Sequence, residues 1–383
     1  MKSGVKKATV FFPNIYKKNN YIGEIFGYFH SSSNIYNIIY FSSNPNDNNK
    51  CNFNKLGCIY KNFNEVDKNN TALQGYWIDQ ELNFSVGGVK CKSKAYDLVL
   101  DVFSRNTGIL ETDLMLDKGA IISGLGSVGS LVATELARSG IGKFLLIDDE
   151  IIEYHNLCRH QCGIYDVGNF KVLAVKEKIL QINPNASVFT EISSIETVPK
   201  NSFDTFINKN IIIIGCADNR EGDLYANRIA NIFKIPFVSI GFWERACAGE
   251  IFYSIPGYTP CYECLFGKAN TSLVTNRVST NKKFYTNEED LKNTIFEPGI
   301  SVDINFITLI GIKIVLDLLN KKTKGYSQSV LNYLKQFTLI CNSTSRKIES
   351  SLIDIFTHPL QITSSIEVDF NKKCKSCKLL NLQ

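Results

Sequence analysis

The sequence predicts an α/β fold whose main body is a doubly wound, largely parallel sheet, preceded by a small α+β domain. Three observations carry that expectation. From Ala95 onward, short apolar runs alternate with helical patterns, as in a sheet covered on both faces. The glycine-rich stretch Gly124-Leu-Gly-Ser-Val-Gly129 falls between one such run and a helical pattern. Residues 1–94 have a different texture, rich in Asn, Ser, Tyr and Phe, with a polar stretch at Asn44–Lys50. Runs such as Asn37–Phe41 read there as strands, and Asn69 and Gly88 as turns. The expected division is therefore 1–94 and 95–383, and the smaller part carries no chemical motif.

The elements follow in order. Tyr96 to Phe103 has helical spacing of apolar residues, and Ala120 to Ser123 reads as a buried strand. Val128 to Ser139 is a helix with small residues toward the sheet, and Phe144 to Asp148 is the second strand. Lys171 to Ile182 is a helix, Ser187 to Thr190 a strand, and Ile211 to Gly215 another. A helix from Glu221 to Phe233 and a strand from Phe237 to Ile240 complete the alternation. The apolar stretch Phe306 to Leu319 is broken by Lys313 and Asp317, which predicts a packed helix rather than a membrane span.

Composition narrows the class. With 44% hydrophobic and 21% charged residues, the chain is that of a folded soluble protein and not a disordered one. A net charge of +5 with no arginine-rich run argues against nucleic acid or a membrane as partner. The apolar run near Met1 is too short for a signal peptide, and Lys17 and Lys18 follow, so a cytoplasmic location is expected. Of 12 cysteines, four stand as Cys261-Tyr-Glu-Cys264 and Cys374-Lys-Ser-Cys377. Without an export signal such pairs favour metal over disulfides. Two pairs make a closed tetrahedral site, structural rather than catalytic, that would staple the late segment to the one after Pro260. Zinc is the expected ion, and free or redox cysteines are the alternative.

In the glycine stretch, Gly124 permits a tight turn, Gly126 lets the backbone approach a phosphate, and Gly129 lets helix and strand pack closely. The helix N-terminus behind them offers free amide donors to an anion. Asp148 ends the next strand, where a carboxylate can hold a ribose hydroxyl. A purely structural glycine turn is the other reading. The pattern implies a nucleotide and leaves NAD, FAD and ATP open.

The following segment separates them. Asp148-Asp-Glu150, Asn156-Leu-Cys-Arg159-His and Gly168-Asn-Phe-Lys171, at these intervals, resemble the ThiF/MoeB/HesA family of ubiquitin-activating-type adenylating enzymes. The resemblance covers roughly residues 100–383 and implies a Rossmann-like ATP-binding adenylation domain with a structural four-cysteine zinc site. Joining a carboxylate to AMP requires a neutralised triphosphate with its α-phosphorus held in line. Arg159 and Lys171 would supply the fixed cations and Asn156 a neutral donor. A dehydrogenase has no use for so many cations around its nicotinamide.

Ile211 to Asn219, with Asn227 beyond, resembles the family's strand followed by an aspartate that binds magnesium, which points to Asp218. Asp218 also precedes a helix and could act as its N-cap. Where the family usually places an arginine, five residues on, this chain has Asp223, and Arg220 and Arg228 are the nearby candidates to replace it. Phe103-Ser-Arg105-Asn-Thr-Gly-Ile-Leu110 resembles the segment whose arginine reaches the neighbouring subunit's triphosphate, so Arg105 is either a trans-acting finger or a surface arginine. A homodimer is implied.

Relatives that form a thioester keep a cysteine in the loop after the first zinc pair, but Leu265 to Phe296 contains none. Cys158, Cys162 and Cys247 remain, expected as small buried hydrophobes near the nucleotide. The Asn-Leu-Cys-Arg-His version, the Asn-Thr-Gly-Ile-Leu segment and Glu297-Pro-Gly-Ile-Ser-Val-Asp303 resemble the bacterial branch found beside ubiquitin-like proteins and conjugating enzymes. That implies adenylation of the flexible C-terminal tail of a ubiquitin-like protein. Pro256-Gly-Tyr-Thr-Pro-Cys-Tyr-Glu-Cys264 also resembles microcin C-type enzymes, which adenylate a short peptide. A NAD-binding oxidoreductase and a non-catalytic peptide scaffold are the remaining alternatives.

Overall fold

The computed structural model describes residues 7–18, 20–43, 53–243, 246–267, 299–342 and 362–379. The chain divides into two compact units, Met1–Arg105 and Asn106–Gln383. Most of the cysteine-free loop 265–296, and the polar stretch 44–50, lie outside the described residues.

The first unit is one sheet. Its strands are β1 (Thr9–Pro13), β2 (Gly23–His30), β3 (Ile35–Ser42), β4 (Asn54–Tyr60), β5 (Leu73–Ile78), β6 (Glu81–Val86), β7 (Val89–Lys90) and β8 (Lys92–Tyr96). They lie in the order β7-β6-β5-β4-β2-β3-β1-β8. Alternation drives the arrangement: Val10, Phe12, Ile25, Ile38, Leu73 and Phe84 gather in one core while their neighbours point away. The β5–β6 hairpin turns on Asp79 and Gln80, both at positive φ (47° and 65°), which suits the right-handed twist of the flanking strands. Among its described residues the helical pieces are two 3₁₀ turns, Asn14–Tyr16 and Phe63–Glu65, so the expected α+β mixture is here essentially β. The helical pattern at Tyr96 to Phe103 also resolves otherwise. Tyr96 completes β8 opposite Pro13, and the chain beyond it forms successive turns, with Asp97 Oδ1 taking the N–H groups of Val99 and Leu100.

The second unit begins with α1 (Thr112–Met115), β9 (Gly119–Ser123), α2 (Ser127–Arg138), β10 (Lys143–Ile147), α3 (Lys171–Ile182) and β11 (Ser187–Glu191). It continues with α4 (Lys200–Phe206), β12 (Ile211–Gly215), α5 (Arg220–Phe233), β13 (Phe237–Phe242) and β14 (Ala248–Ser254). The last described elements are α6 (Tyr262–Phe266), α7 (Ser301–Asn320), β15 (Phe337–Cys341), β16 (Ile362–Ile366) and α8 (Lys375–Leu379). Their sheet runs β11-β10-β9-β12-β13-β14-β15-β16, parallel through β13 and antiparallel from β14 onward.

Residue parity splits the core in two. Ala120, Ile122, Phe144, Leu146, Ile212 and Ile214 share one cluster with residues of α2, α3 and α7. Ile121, Leu145, Ile147, Ile211 and Ile213 share the other with residues of α4, α5 and α6. The sheet is thus doubly wound, with β9 between β10 and β12, and the chain leaves toward opposite faces on either side of it. That is where such folds open a crevice at the strands' carboxyl ends. In α7 the acidic residue that interrupts the apolar run is structural. Asp317 is fully buried and accepts the N–H groups of Ser329, Val330 and Leu331 and the Tyr326 hydroxyl.

Candidate nucleotide site and four-cysteine centre

Each glycine of the loop meets a different constraint. Gly124 follows β9 at φ 86°, and a Cβ there would stand 3.0 Å from the backbone of Cys216 and Ala217, so the β9 loop lies against the β12 turn. At Gly126, which precedes α2, a Cβ would meet nothing within 4 Å. At Gly129 it would come 1.9 Å from the Gly124 carbonyl oxygen, so only glycine lets α2 close on the loop. The middle glycine faces open space in front of a helix N-terminus, a place suited to an anion.

Leu125, inside this loop, is held from both ends of its own residue. Its N–H donates to Asp148 Oδ2 at 2.6 Å, and its carbonyl lies 2.8 Å from His160 Nε2. His160 Nδ1 accepts the Cys162 N–H at 3.0 Å, which fixes the tautomer with the proton on Nε2, donating to Leu125. His160 is 8% exposed, and burial, aided by the Lys171 charge, drives its pKa down to about 4 despite the Leu125 bond and nearby Asp166. The histidine is visible in the sequence beside Arg159, but nothing there signals that it grips the loop.

Asp148 also accepts the Glu150 N–H at 2.9 Å through Oδ1. Burial raises its pKa, against the pull of Lys171 and of the two backbone donors. Lys171, the first residue of α3, is 5% exposed and ion-paired with Glu150. Burial pushes the Lys171 ammonium down, but Asp148 and Glu150, with Asp218 adding, more than offset it and hold it above the usual lysine value. Three acids, Asp148 and Glu150 after β10 and Asp218 after β12, thus bear on one buried cation.

Asn156 sits in a 3₁₀ turn and accepts the Glu153 N–H at 2.9 Å, which commits the oxygen end of its amide. Arg159 is half-buried, and its Nη1 lies 3.8 Å from where a Gly299 Cβ would stand, bringing the segment before α7 against it. Asp218 is exposed on the turn after β12. The helix cap belongs to its neighbour: Asn219 Oδ1 accepts the Gly222 N–H at 2.8 Å. Arg105 is exposed in the first unit.

The two arginines that could have replaced the family's missing one are committed elsewhere. Arg220 pairs with Glu250, and Arg228 lies 3.4 Å from Glu263. Asp223 is fully buried, accepting the Ser239 hydroxyl at 2.5 Å, and its carboxylate fills the space a Gly215 side chain would need.

Cys261, Cys264, Cys374 and Cys377 bring their sulfurs within 4.8 Å of one another, three of them buried. Contacts of 3.5 Å to 3.9 Å match the S···S edge of about 3.8 Å expected for tetrahedral thiolates about 2.3 Å from one ion. They are far too long for disulfides. The cluster could hold a metal ion. Of the other cysteines, Cys162 and Cys247 are buried as expected, and burial raises the Cys162 thiol to about 12. Cys158 is exposed, contrary to expectation, because the turn that follows the 3₁₀ segment Tyr154–Asn156 leaves the side chain outside with Sγ 3.4 Å from the His155 carbonyl.

Among the described residues, no helix is long and apolar enough to cross a membrane. A family model described as "ThiF family" matches residues 106–351. Ubiquitin-like modifier-activating enzyme 5 of Caenorhabditis elegans is 30% identical over 165 residues, which is 40% of this chain and 39% of that one. The enzyme of the same name from Caenorhabditis briggsae is 27% identical over 220 residues, 52% of this chain and 50% of that one. The chain thus spans between two fifths and half the length of these curated relatives. Among solved structures, E. coli MccB superposes with a TM-score of 0.52 at 22% identity, covering 72% of each chain. MccB with ATP gives 0.51, also at 22% identity, covering 72% of this chain and 74% of that one. At such identities the likeness is one of fold.

Proposed function

Because the chain belongs to the ThiF family, we propose that it is an adenylating enzyme, using ATP and Mg²⁺ to join AMP to a C-terminal carboxylate and release pyrophosphate. The observation that carries this is the loop Gly124 to Gly129. It opens at Gly126 before a helix N-terminus and is clasped through Leu125 by Asp148 and His160.

In this reading the phosphates lie along Gly124, Gly126 and Gly129, and Asp148 keeps lone pairs for the ribose while holding the loop. Asn156, Arg159 and Lys171 bind and polarise the triphosphate. Lys171 is buried and ion-paired with Glu150, whose side chain is 62% exposed and would leave it for solvent when phosphate arrives. Asp218 would hold Mg²⁺, which would neutralise phosphate charge when bound. Cys261, Cys264, Cys374 and Cys377 would hold a structural Zn²⁺.

The acceptor best supported is a ubiquitin-like protein with a flexible tail, in keeping with the names of the curated relatives. A homodimer, in which Arg105 reaches the partner's site, and a downstream conjugating enzyme complete the reading. A short peptide substrate is the second reading, favoured by a likeness in fold to MccB that spans 72% of the chain. The test is exchange of labelled pyrophosphate into ATP, with candidate ubiquitin-like proteins and short peptides supplied in turn. Exchange that depends on one of them identifies the acceptor. Tight NADH binding with no exchange against any of them overturns adenylation.

A further inference from the structure

The four-cysteine centre is joined to the helix that begins next to Asp218. Three side chains of α5 reach it: Arg220, Asn227 and Arg228, spaced to fall on one helical face. Arg220 Nη1 donates to the Tyr262 hydroxyl at 3.0 Å, and Tyr262 stands between Cys261 and Cys264. Asn227 Oδ1 accepts the Tyr262 N–H at 2.9 Å, and Arg228 Nε lies 3.4 Å from Glu263, which also takes the Ser376 hydroxyl between Cys374 and Cys377.

Arg220 is the most tightly held of the three. Its guanidinium makes a two-pronged pair with Glu250, Nη1 to Oε1 at 2.9 Å and Nη2 to Oε2 at 3.1 Å. Glu250 is 2% exposed, and Trp243 Nε1 also donates to it at 3.2 Å. The Arg220 carbon lies 3.9 Å from the Phe266 ring centroid. A planar, forked cation that is paired, hydrogen-bonded and stacked has one orientation. Asp218 lies two residues upstream of this anchor, on the turn between β12 and α5.

We propose that Arg220 is a positioning residue, which transmits the geometry of the four-cysteine centre to Asp218 and so sets the affinity of the site for a divalent cation with ATP. The proposal rests on the reading that Asp218 holds that cation. A staple that only closed the late segment onto the sheet would not need to grip the first residue of α5.

The experiment uses the anaerobically purified full chain with its metal in place. Binding of labelled ATP is measured at stepped Mg²⁺, alongside the Mg²⁺ dependence of pyrophosphate exchange and the thermal midpoint. Arg220→Lys keeps the charge and loses the fork. It is expected to raise the Mg²⁺ concentration for half-maximal ATP binding about tenfold, the scale on which partners behind metal ligands act. The exchange rate at saturating Mg²⁺ should fall less than that, and Mg²⁺-free ATP binding should not follow the shift. Tyr262→Phe removes one hydroxyl and should move the Mg²⁺ midpoint in the same direction by about threefold. It carries the test if Arg220→Lys does not fold. A lower thermal midpoint with an unmoved Mg²⁺ midpoint makes the strut merely structural and overturns the proposal. Asp218→Asn separates the two failures. If it shifts the Mg²⁺ midpoint and the Arg220 and Tyr262 variants do not, this proposal alone falls. If it shifts nothing, the reading of Asp218 falls and takes the proposal with it.

Discussion

Asp148 accepts the backbone N–H of Leu125 through Oδ2 at 2.6 Å, so the carboxylate expected at a ribose is also the clasp of the glycine loop. A charged acceptor on a backbone N–H is among the stronger hydrogen bonds. With His160 on the carbonyl of the same residue, the loop is set before any ligand arrives, and binding need not order it.

Two glycines of that loop should respond oppositely to a methyl group. Gly129→Ala drives a Cβ to 1.9 Å from the Gly124 carbonyl, between backbone atoms that cannot yield, and should cost on the order of 3 kcal/mol in urea unfolding. Gly126→Ala meets open space at φ −68°, so its stability should stay near wild type. ATP affinity should instead fall about tenfold, the equivalent of losing one good hydrogen bond as the backbone is pushed off the phosphate. An unchanged ATP affinity for Gly126→Ala would remove this glycine from the nucleotide site.

Asp218→Asn should lower pyrophosphate exchange by on the order of 10²-fold, the range for one preorganised electrostatic group. Raised Mg²⁺ should recover part of the loss, and recover little for Arg159→Ala. Because Asn219 already caps α5, thermal stability should barely change. Near-normal turnover at low Mg²⁺ would take Asp218 out of the active site.

His160 makes stability pH-dependent. Its folded pKa, about 4, lies below the ordinary histidine value of 6.5, so the unfolded chain binds the extra proton between them. The contribution is fully present above pH 6.5 and is lost as pH falls toward 4. Between pH 7 and pH 4.5 the wild type should lose on the order of 2 kcal/mol more than His160→Gln in urea unfolding. Parallel profiles for the two proteins would mean that His160 is not held neutral in the fold.

Cys374→Ser should bind less metal than the wild type, for which elemental analysis is expected to find about one zinc per chain. Its thermal midpoint should drop by more than the change in Mg²⁺-free ATP affinity would account for, since the sulfur touches Cys261 and no residue of the glycine loop. Metal-free wild-type protein from an anaerobic preparation would rule out the centre.

The alternating elements from β9 to β13 were legible because buried parallel strands show as unbroken apolar runs, Ile211 to Ile214 being the plainest. Strands β14 and β15 were not, since Glu250 and Thr338 stand inside them as buried polar residues and break the pattern that marks a strand. The same residue explains why the role of Arg220 was hidden. Its partner lies on a strand 30 residues on, and no local spacing reports that pairing. Asp148 and the loop could be read as a group because the ends of adjacent strands β10 and β9 bring them together, while Lys171, at the start of α3, entered through the family resemblance. His160 shows in the sequence only as a neighbour of Arg159, and the exposure of Cys158 is set by the irregular turn at 157–159, which composition does not report.

The cysteine centre also constrains the order in which a growing chain can fold. Cys261 and Cys374 are separated by 113 positions, while each sulfur pair within a Cys-x-x-Cys is local. When the ribosome has just passed Cys264, every parallel strand has been made, but β15, β16 and the second thiol pair have not. The parallel half can therefore collapse around β9 during synthesis, with one dithiol left open to solvent, oxidants and stray metal. Closure costs entropy that grows only slowly with the length of the intervening chain, so delay rather than distance is the hazard. Translation speed across the stretch between the two pairs, and the metal supply during it, should then govern the yield of native protein.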